Sequence, residues 1–322
     1  MAYDTWFQTE TDNITGAFVR QENRFTTPFG KRAGELPVEP GRYRLIWSAA
    51  CPWATRQMIA RSLLGLEEAF SVGTVDPIRP PKEYSDWAFT LDPDGVDPVL
   101  KVKYVSDLYL KTDPDYKGRF TVPAVVDIPS GTVVNNDYFN LSCYWETAWK
   151  DFHKPGAPDL FPKDLREDII ALNSVIFQDV NNGVYKAGFA RSQEAYESAY
   201  AVVFRRLDWL DGRLSQSRYL FGGRLTDSDI RLWVTLVRFD AAYYNAFRVN
   251  RNRLMDFPNL WAYARDLYQI PAFGENTCFD HIKAHYHVCC DPGNRFGIIP
   301  KGPDTSSWAS PHGREKLSAP PA

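Results

Sequence analysis

The 322-residue chain has no apolar run near the ~18 residues that would suggest a membrane-spanning helix. Its first residues, MAYDTWFQTETDN, lack the basic start and apolar stretch of a secretory signal. The 37 basic and 40 acidic side chains nearly cancel, to a net charge of −3, so neither nucleic acid nor an anionic membrane is an expected partner. We therefore expect a cytoplasmic protein whose partners are small molecules.

Cysteine is scarce and irregularly placed. Five residues in a long chain, an odd number without regular spacing, do not make a disulfide scaffold, so we expect reduced thiols. The neighbours Cys289 and Cys290 could bind a metal or respond to oxidants, but no CxxC pair or histidine cluster supplies further ligands. We predict no metal site and leave the role of this pair open. The other cysteines are Cys51, Cys143 and Cys278.

The length suits two domains, and the composition changes along the chain. Residues 1–40 are polar, with Gly, Pro and Thr throughout, and indicate an extended arm. Residues 41–150 open with a strand, a helix and a strand, which indicates an α/β domain. Within it, residues 76–118 are rich in Pro, Asp and Tyr and indicate an insertion that carries loops. Residues 151–290 show only helical periodicity, and residues 291–322 indicate an ordered tail with a loose end.

Local patterns add detail to both halves. The stretch FTVPAVVDIPSGTVVNN predicts two strands joined by a tight turn, with Pro123 in a position that would remove a ladder hydrogen bond. SQEAYESAYAVVFRRLDWLDGRLSQ predicts a long helix with Ser192 as N-cap and an apolar face that begins at Tyr196 and Tyr200. In LTDSDIRLWVTLVRFD, Thr226 followed by Asp229 predicts a capping box, for which a structural role is sufficient.

Cys51 has the sequence context of a reactive thiol. The apolar run YRLIW predicts a strand, and a short turn then leads to Cys51 and to Pro52 as the first residue of a helix. Backbone amides and the helix dipole stabilise a thiolate there, and such a position can lower a thiol pKa from ~8.5 to roughly 3.5–7.5. A small buried cysteine would fit the same pattern, so both interpretations stand at this point.

Longer motifs resemble one enzyme family. SAACPWATR, DWAF, GRFTVPAVVD, VVNN, NNGVYKAGFARSQEAYE, LFGGRLTDSDIRLWVTLVRFD, FPNLWAYARDLYQ and FDHIKAHYH are similar to motifs of the Xi-class glutathione transferases, the glutathionyl-hydroquinone reductases. The resemblance implies an α/β thioredoxin-like N-terminal domain, an all-α C-terminal domain and a homodimer. It also implies that Pro123 is the cis-proline that presents backbone groups to the thiol co-substrate.

The resemblance also assigns roles on the thiol side of the site. Cys51 would be the nucleophile, and Trp87 would form a wall of the thiol site. Arg119 and the Val122 backbone beside Pro123 would bind the carboxylate and the amides of glutathione.

On the other side, Tyr185 and Tyr286 would face the hydroquinone ring from the helical domain. A core role for both tyrosines stays open, because buried tyrosines commonly make one hydrogen bond.

One motif departs from the family pattern. The family has Asn-Asn-Glu-Ser where this chain has Asn135, Asn136, Asp137 and Tyr138, and the Glu and Ser hold the γ-glutamyl end of glutathione. Asp137 is a shorter acid, and Tyr138 puts a bulky ring in place of a small hydroxyl. The thiol could therefore be glutathione or a sugar-bearing thiol such as mycothiol.

The activity implied is thiol-dependent removal of a glutathionyl or related thiol group from a substituted hydroquinone, through a mixed disulfide on Cys51. One alternative is a general thioltransferase or dehydroascorbate reductase, which needs the cysteine but no aromatic pocket. Another is a non-catalytic thiol-binding scaffold, because fold alone does not determine function.

The context of Cys51 predicts that iodoacetamide alkylates this thiol much faster near pH 7 than the other four cysteines, because a thiolate is the reacting species. Mass spectrometry of digests taken over time gives the five rates. A rate at Cys51 no higher than that of an ordinary free thiol would contradict the prediction.

Overall fold

The computed structural model describes residues 10–80 and 86–317. These residues divide into two compact units. The first unit contains residues 20–80 and 86–158, and the second contains Glu10–Val19 and residues 159–317. The larger part of the second unit thus begins at Asp159, and Glu10–Val19 of the N-terminal segment also belongs to this unit. None of the helices in the described part of the chain is long and apolar enough to cross a membrane.

A four-stranded mixed sheet forms the centre of the first unit. The strands are β1 (Tyr43–Trp47), β2 (Phe70–Thr74), β3 (Ala124–Asp127) and β4 (Thr132–Asn135), in the order β2-β1-β3-β4. β1 runs parallel to β2 and antiparallel to β3, and β3 pairs antiparallel with β4. The predicted hairpin and the opening strand-helix-strand unit are confirmed. All five residues of β1 are buried.

The α-helices in the described residues of this unit are α1 (Pro52–Leu64), α2 (Val105–Thr112) and α3 (Leu141–Thr147). α1 ends as predicted at Gly65, whose φ of 75° lies in the left-handed region that glycine adopts without a steric penalty.

α2 lies inside residues 76–118, where the composition predicted loops, and that prediction is wrong for this segment. The helix is short, and its start is held by Asp107, which accepts a hydrogen bond of 3.1 Å from the Tyr104 amide. Its apolar face buries Val105, Leu108 and Tyr109. Eight residues of helix are too few for a clear periodic signal among so many prolines and aspartates.

An ion pair attaches the insertion to the sheet. The Arg44 Nε of β1 donates to Asp97 Oδ2 at 2.9 Å, and Asp97 is fully buried. The other oxygen of Asp97 accepts from the amides of Val99 and Leu100 at 2.9 and 2.7 Å. Because removing one partner would leave a buried charge uncompensated, this pair ties the insertion to the central strand.

Helices form the second unit, and the first four are α4 (Arg166–Ile176), α5 (Gly183–Gly188), α6 (Gln193–Leu214) and α7 (Asp227–Arg238). The later ones are α8 (Tyr244–Ala246), α9 (Pro258–Tyr268), α10 (Pro271–Gly274) and α11 (Phe279–Ala284). Three π-helical turns interrupt them: Phe177–Asn181, Phe239–Tyr243 and His285–Cys289.

The long helix α6 begins as predicted, since the Ser192 hydroxyl accepts a hydrogen bond of 3.1 Å from the Ala195 amide. Its core face is shorter than predicted. Tyr196 and Tyr200 are only half-buried, and burial is complete only from Val203 onward. The pattern alone does not show that the first two turns lie near the surface.

The predicted capping box at the start of α7 is present and extends beyond it. Asp229 Oδ2 accepts from the Thr226 amide and hydroxyl at 2.8 and 2.9 Å. Oδ1 accepts from the Leu220 amide at 2.9 Å and from the Tyr263 hydroxyl at 2.8 Å. Burial raises the pKa of Asp229 to about 6, while these donors favour the carboxylate. The carboxylate therefore joins α7 to two other segments of the unit.

The tail packs on the second unit as far as it is described. Trp308 is buried, and Arg314 donates to the carbonyl oxygens of Leu214 and Arg218 at 3.0 and 2.8 Å, at the C-terminal end of α6. A guanidinium at this position satisfies carbonyls that the helix itself leaves unpaired. The predicted loose end lies outside the described residues.

Asp229→Ala should lower the free energy of unfolding by about 3 kcal/mol or more, because it leaves several buried donors unsatisfied at ~1–3 kcal/mol each. Thr226→Ala is the matched comparison and should cost only about 1 kcal/mol, the usual value of a lost N-cap. Urea denaturation measures both. Equal, small losses would show that the carboxylate serves the helix cap alone.

Candidate functional site

Cys51 occupies the N-cap position of α1, and Pro52 is the first residue of the helix. The side chain is 8% exposed, and its Sγ lies 3.2 Å from the Val122 carbonyl oxygen, to which the thiol can donate. The sheet explains this contact, because Ile46 near the end of β1 pairs with Ala124 at the start of β3. The residues that follow β1 and precede β3 therefore meet at one edge of the sheet.

Pro123 stands directly before β3 and not within it. The strand begins at Ala124, so the missing amide hydrogen costs the sheet no ladder bond. The Val122–Pro123 peptide bond is cis, as the family resemblance implied. The structure thus brings Cys51, Val122 and Pro123 together.

Asp137 is largely committed to its own loop. The side chain is 6% exposed, and its Oδ1 accepts from the amides of Phe139 and Asn140 at 3.1 and 3.2 Å. The side-chain amides of Asn23 and Asn140 also donate to the carboxylate, at 3.0 and 2.8 Å. The acid therefore closes the turn that leads into α3, a common role for Asp at a helix start.

Tyr138 packs beside the start of α1. Its ring centroid lies 5.0 Å from that of Trp53, which follows Cys51 and Pro52 in the chain. The Arg20 guanidinium lies 4.9 Å from the Trp53 ring centroid and 6.0 Å from that of Tyr138. Burial raises the pKa of the Tyr138 phenol, and the charges of Arg20, Arg56 and Arg119 oppose this shift. The tilted rings of Tyr138 and Trp53 and the Arg20 guanidinium thus lie together beside the start of α1, where Cys51 is the N-cap.

Arg119 and Trp87 were assigned to the thiol side as well. Arg119 is half-buried, and its backbone amide donates to Gln21 Oε1 at 2.6 Å. Its positive charge opposes the rise in the pKa of the Tyr138 phenol. Trp87 is buried in the insertion, and the Arg79 guanidinium lies 4.2 Å from its ring centroid.

Three tyrosine hydroxyls of the second unit form a hydrogen-bonded chain. Tyr286 is almost fully buried, and its hydroxyl lies 2.5 Å from that of Tyr185 and 3.1 Å from that of Tyr243. Sequence analysis predicted Tyr185 and Tyr286 but missed Tyr243. Tyr243 and Tyr286 lie in π-turns, which are frequent at functional sites, and Tyr185 follows the π-turn Phe177–Asn181. No sequence pattern marks such a turn.

The surroundings of these three tyrosines favour protonated phenols. Burial, together with the neighbouring Tyr185 and Tyr243, raises the pKa of Tyr286 well above its ordinary value, and Arg238 opposes the shift. Tyr286 is therefore neutral at physiological pH. The two hydrogen bonds that join the three hydroxyls use two of their three protons. The third O–H can therefore donate a hydrogen bond to an acceptor outside this group.

The neighbouring cysteines lie at the end of the π-turn that carries Tyr286. Both are buried, and Cys290 Sγ lies 3.5 Å from His285 Nε2. None of the five cysteines, all of which lie in the described residues, forms a disulfide. Among residues 10–80 and 86–317, no group of three or more His, Cys, Asp or Glu side chains is arranged to hold a metal ion.

Comparison with known proteins identifies the family. Residues 193–266 match the model of the glutathione S-transferase C-terminal domain. The chain is 40% identical over 322 residues to the glutathionyl-hydroquinone reductase YqjG of Escherichia coli strain K12, an alignment that covers 97% of this chain and 96% of that protein. This chain belongs to the Xi-class glutathione transferases. The glutathionyl-hydroquinone reductases are enzymes of this family.

Solved structures of Xi-class proteins and related transferases agree with this assignment. The glutathione transferase Xi of Phanerochaete chrysosporium superposes with a TM-score of 0.84 at 41% identity, over 91% of this chain and 94% of that one. A glutathione transferase of Gordonia bronchialis gives a TM-score of 0.85 at 49% identity, over 88% of each chain. The predicted thioredoxin-like N-terminal region and helical C-terminal domain are confirmed.

A further solved structure contains bound glutathione. The glutathione-bound structure of the Escherichia coli YqjG protein has a TM-score of 0.82 to this chain at 42% identity, over 91% of this chain and 96% of that one. Glutathione binding is thus a property of an Xi-class relative.

Proposed function

We propose that this Xi-class protein reductively removes a thiol substituent from thiol-substituted hydroquinones, with Cys51 as the nucleophile. The supporting observation is the position of Cys51, which is the N-cap of α1 and precedes Pro52 at the first helical position. The positive end of the helix dipole favours the thiolate there. The similarity to YqjG of Escherichia coli, a glutathionyl-hydroquinone reductase, indicates the substrate class.

The proposed reaction has two steps, a reductive cleavage of the carbon–sulfur bond and a thiol–disulfide exchange. In the first, the Cys51 thiolate attacks the thioether sulfur, the bond from that sulfur to the ring carbon breaks, and the ring carbon takes up a proton. The products are the free hydroquinone and a mixed disulfide on Cys51. In the second, another thiol molecule attacks the mixed disulfide, which restores Cys51 and releases the disulfide of the small thiol.

Carbon is a poor leaving atom, so the first step needs help from the ring. We assign this help to Tyr185, Tyr243 and Tyr286, whose hydroxyls can donate to a ring oxygen and stabilise a keto tautomer. The raised pKa of Tyr286 keeps its phenol protonated and able to donate at neutral pH. We favour the hydroquinone substrate over a general thioltransferase because the YqjG protein of Escherichia coli, 40% identical over almost the whole chain, is a glutathionyl-hydroquinone reductase.

We further propose that the thiol pocket is altered at the γ-glutamyl end. The Asp137 carboxylate already accepts from Asn23, Phe139 and Asn140, and the Tyr138 ring packs on Trp53. A thiol without a γ-glutamyl group, such as mycothiol, would not need these contacts. We place the reaction in the cytoplasm, where thiols stay reduced, and expect a homodimer as the family resemblance implies.

Cys51→Ser should abolish dethiolation of a glutathionyl- or mycothiol-hydroquinone and leave the fold intact, because a serine oxygen cannot form the mixed disulfide. Release of the free hydroquinone, followed by chromatography, measures this activity. Cys143→Ser is the control and should keep wild-type turnover, since Cys143 is a partly exposed cysteine of the same unit that has no part in the proposed mechanism.

Dethiolation at the wild-type rate by Cys51→Ser would remove Cys51 from the mechanism. Wild-type protein that exchanges a small mixed disulfide but leaves every thiol-hydroquinone untouched would favour the general thioltransferase.

Asp137→Glu combined with Tyr138→Ser should raise kcat/KM for glutathione by roughly ten-fold or more, because ~1.4 kcal/mol is a factor of ten and charge-assisted hydrogen bonds contribute ~1.5–3 kcal/mol each. Tyr138→Ser alone shows how much comes from removing the ring. Tyr144→Ser is the control, since its ring packs on Phe29, 5.9 Å away. Steady-state kinetics on one hydroquinone adduct, with glutathione varied, give the ratios.

Efficient use of glutathione by the wild type, without a gain in the double variant, would contradict the altered pocket. The thiol would then be ordinary glutathione.

A further inference from the structure

One phenylalanine ring touches all three tyrosines of the hydroxyl chain. Phe247 is fully buried. Its ring centroid lies 5.3 Å from that of Tyr185, 5.3 Å from that of Tyr243 and 5.5 Å from that of Tyr286. It meets Tyr185 and Tyr286 edge-on and stacks on Tyr243, and both geometries are favourable for aromatic pairs. The position of this ring therefore constrains all three phenols.

Phe247 can lie there because residue 188 is glycine. A Cβ on Gly188 would come within 2.3 Å of Phe247 Cγ, which is far closer than real side-chain atoms approach. Gly188 ends α5, the helix that also carries Tyr185. One short helix therefore supplies both a tyrosine of the chain and the space for the ring that holds it.

The backbone after Phe247 is fixed from two sides. Arg248 has a φ of 57°, in the left-handed region that side chains other than glycine rarely adopt. Its guanidinium donates to the Gly188 carbonyl oxygen at 3.2 Å, and its own carbonyl accepts from the Tyr196 hydroxyl at 2.7 Å. A non-glycine residue keeps such a conformation only where its surroundings impose it, and such residues cluster at functional sites.

We infer that Phe247, which packs against Gly188, is the positioning residue that keeps the hydroxyls of Tyr185, Tyr243 and Tyr286 in one hydrogen-bonded chain. Its ring has no ionisable or hydrogen-bonding group and takes no part in the chemistry. The consequence for turnover rests on the proposed dethiolation, in which these phenols act on the hydroquinone. The consequence for the phenols themselves does not depend on that proposal.

The test compares Phe247→Leu and Phe247→Met with Phe273→Leu. Phe273 is the matched control, since it is also fully buried in the second unit but packs on Trp233, 5.1 Å away. In near-ultraviolet circular dichroism, the Phe247 variants should show a difference spectrum like that of Tyr286→Phe, because both changes disrupt the hydroxyl chain. Phe273→Leu should not. Two replacements at 247 ensure that a folded variant is examined.

Turnover separates positioning from general destabilisation. The Phe247 variants should lose at least ten-fold in kcat on the thiol-hydroquinone with little change in KM for the thiol, and their exchange of a small mixed disulfide through Cys51 should stay at the wild-type level. Phe273→Leu should keep kcat even if it unfolds at a lower temperature.

A double-mutant cycle tests the packing of Phe247 against Gly188. Gly188→Ala should lower kcat by a similar factor in the wild type but add little in the Phe247→Leu background, where the ring that would clash is gone. If the two substitutions lower kcat independently, so that their factors multiply in the double variant, Gly188 does not act through the space that it leaves for Phe247. Phe247 variants with a wild-type tyrosine spectrum would overturn the inference itself.

These outcomes differ from a failure of the proposed function. Wild-type protein inactive on every thiol-hydroquinone would refute the proposed reaction, while the spectra of the Phe247 variants would still decide whether this ring positions the tyrosines.

Discussion

The antiparallel pairing of β1 with β3 determines where the sulfur of Cys51 lies. Because Ile46 is paired with Ala124, the turn after β1 and the segment before β3 reach the same edge of the sheet. α1 then begins at Pro52, which leaves Cys51 at its N-terminus and 3.2 Å from the Val122 carbonyl oxygen. A shift of either strand would separate the thiol from the backbone that the co-substrate is expected to pair with. The thiol chemistry we propose therefore depends on the strand register.

A second constraint operates within the helical unit. Two of the three phenols that we assign to the hydroquinone lie in π-turns, Tyr243 and Tyr286, and each such turn inserts one extra residue into a helix. The extra residue rotates the following side chains relative to a regular helix. The glycine at 188 admits the ring of Phe247 against these phenols. Local departures from regular geometry thus create the hydroxyl chain.

Sequence patterns predicted the features that depend on neighbours in the chain. The start of α1 at Cys51 and the capping pair Thr226 and Asp229 follow from spacing and residue type alone. The helix α2 was missed because eight residues in a proline-rich insertion give little periodicity. Tyr243 was missed because its role depends on a π-turn and on contacts with residues distant in the chain. The family resemblance supplied the tyrosines 185 and 286, which no local pattern distinguishes from core residues.

The central claim is that Cys51 receives the thiol from the hydroquinone adduct, and one single-turnover experiment tests it directly. Reduced protein is mixed with one equivalent of a thiol-substituted hydroquinone in the absence of any other thiol, and both products are analysed by mass spectrometry. The account predicts one equivalent of free hydroquinone and a protein heavier by the disulfide-linked thiol, with the addition on the Cys51 peptide. Free hydroquinone without a mass increase, or the thiol on a different cysteine, would contradict it.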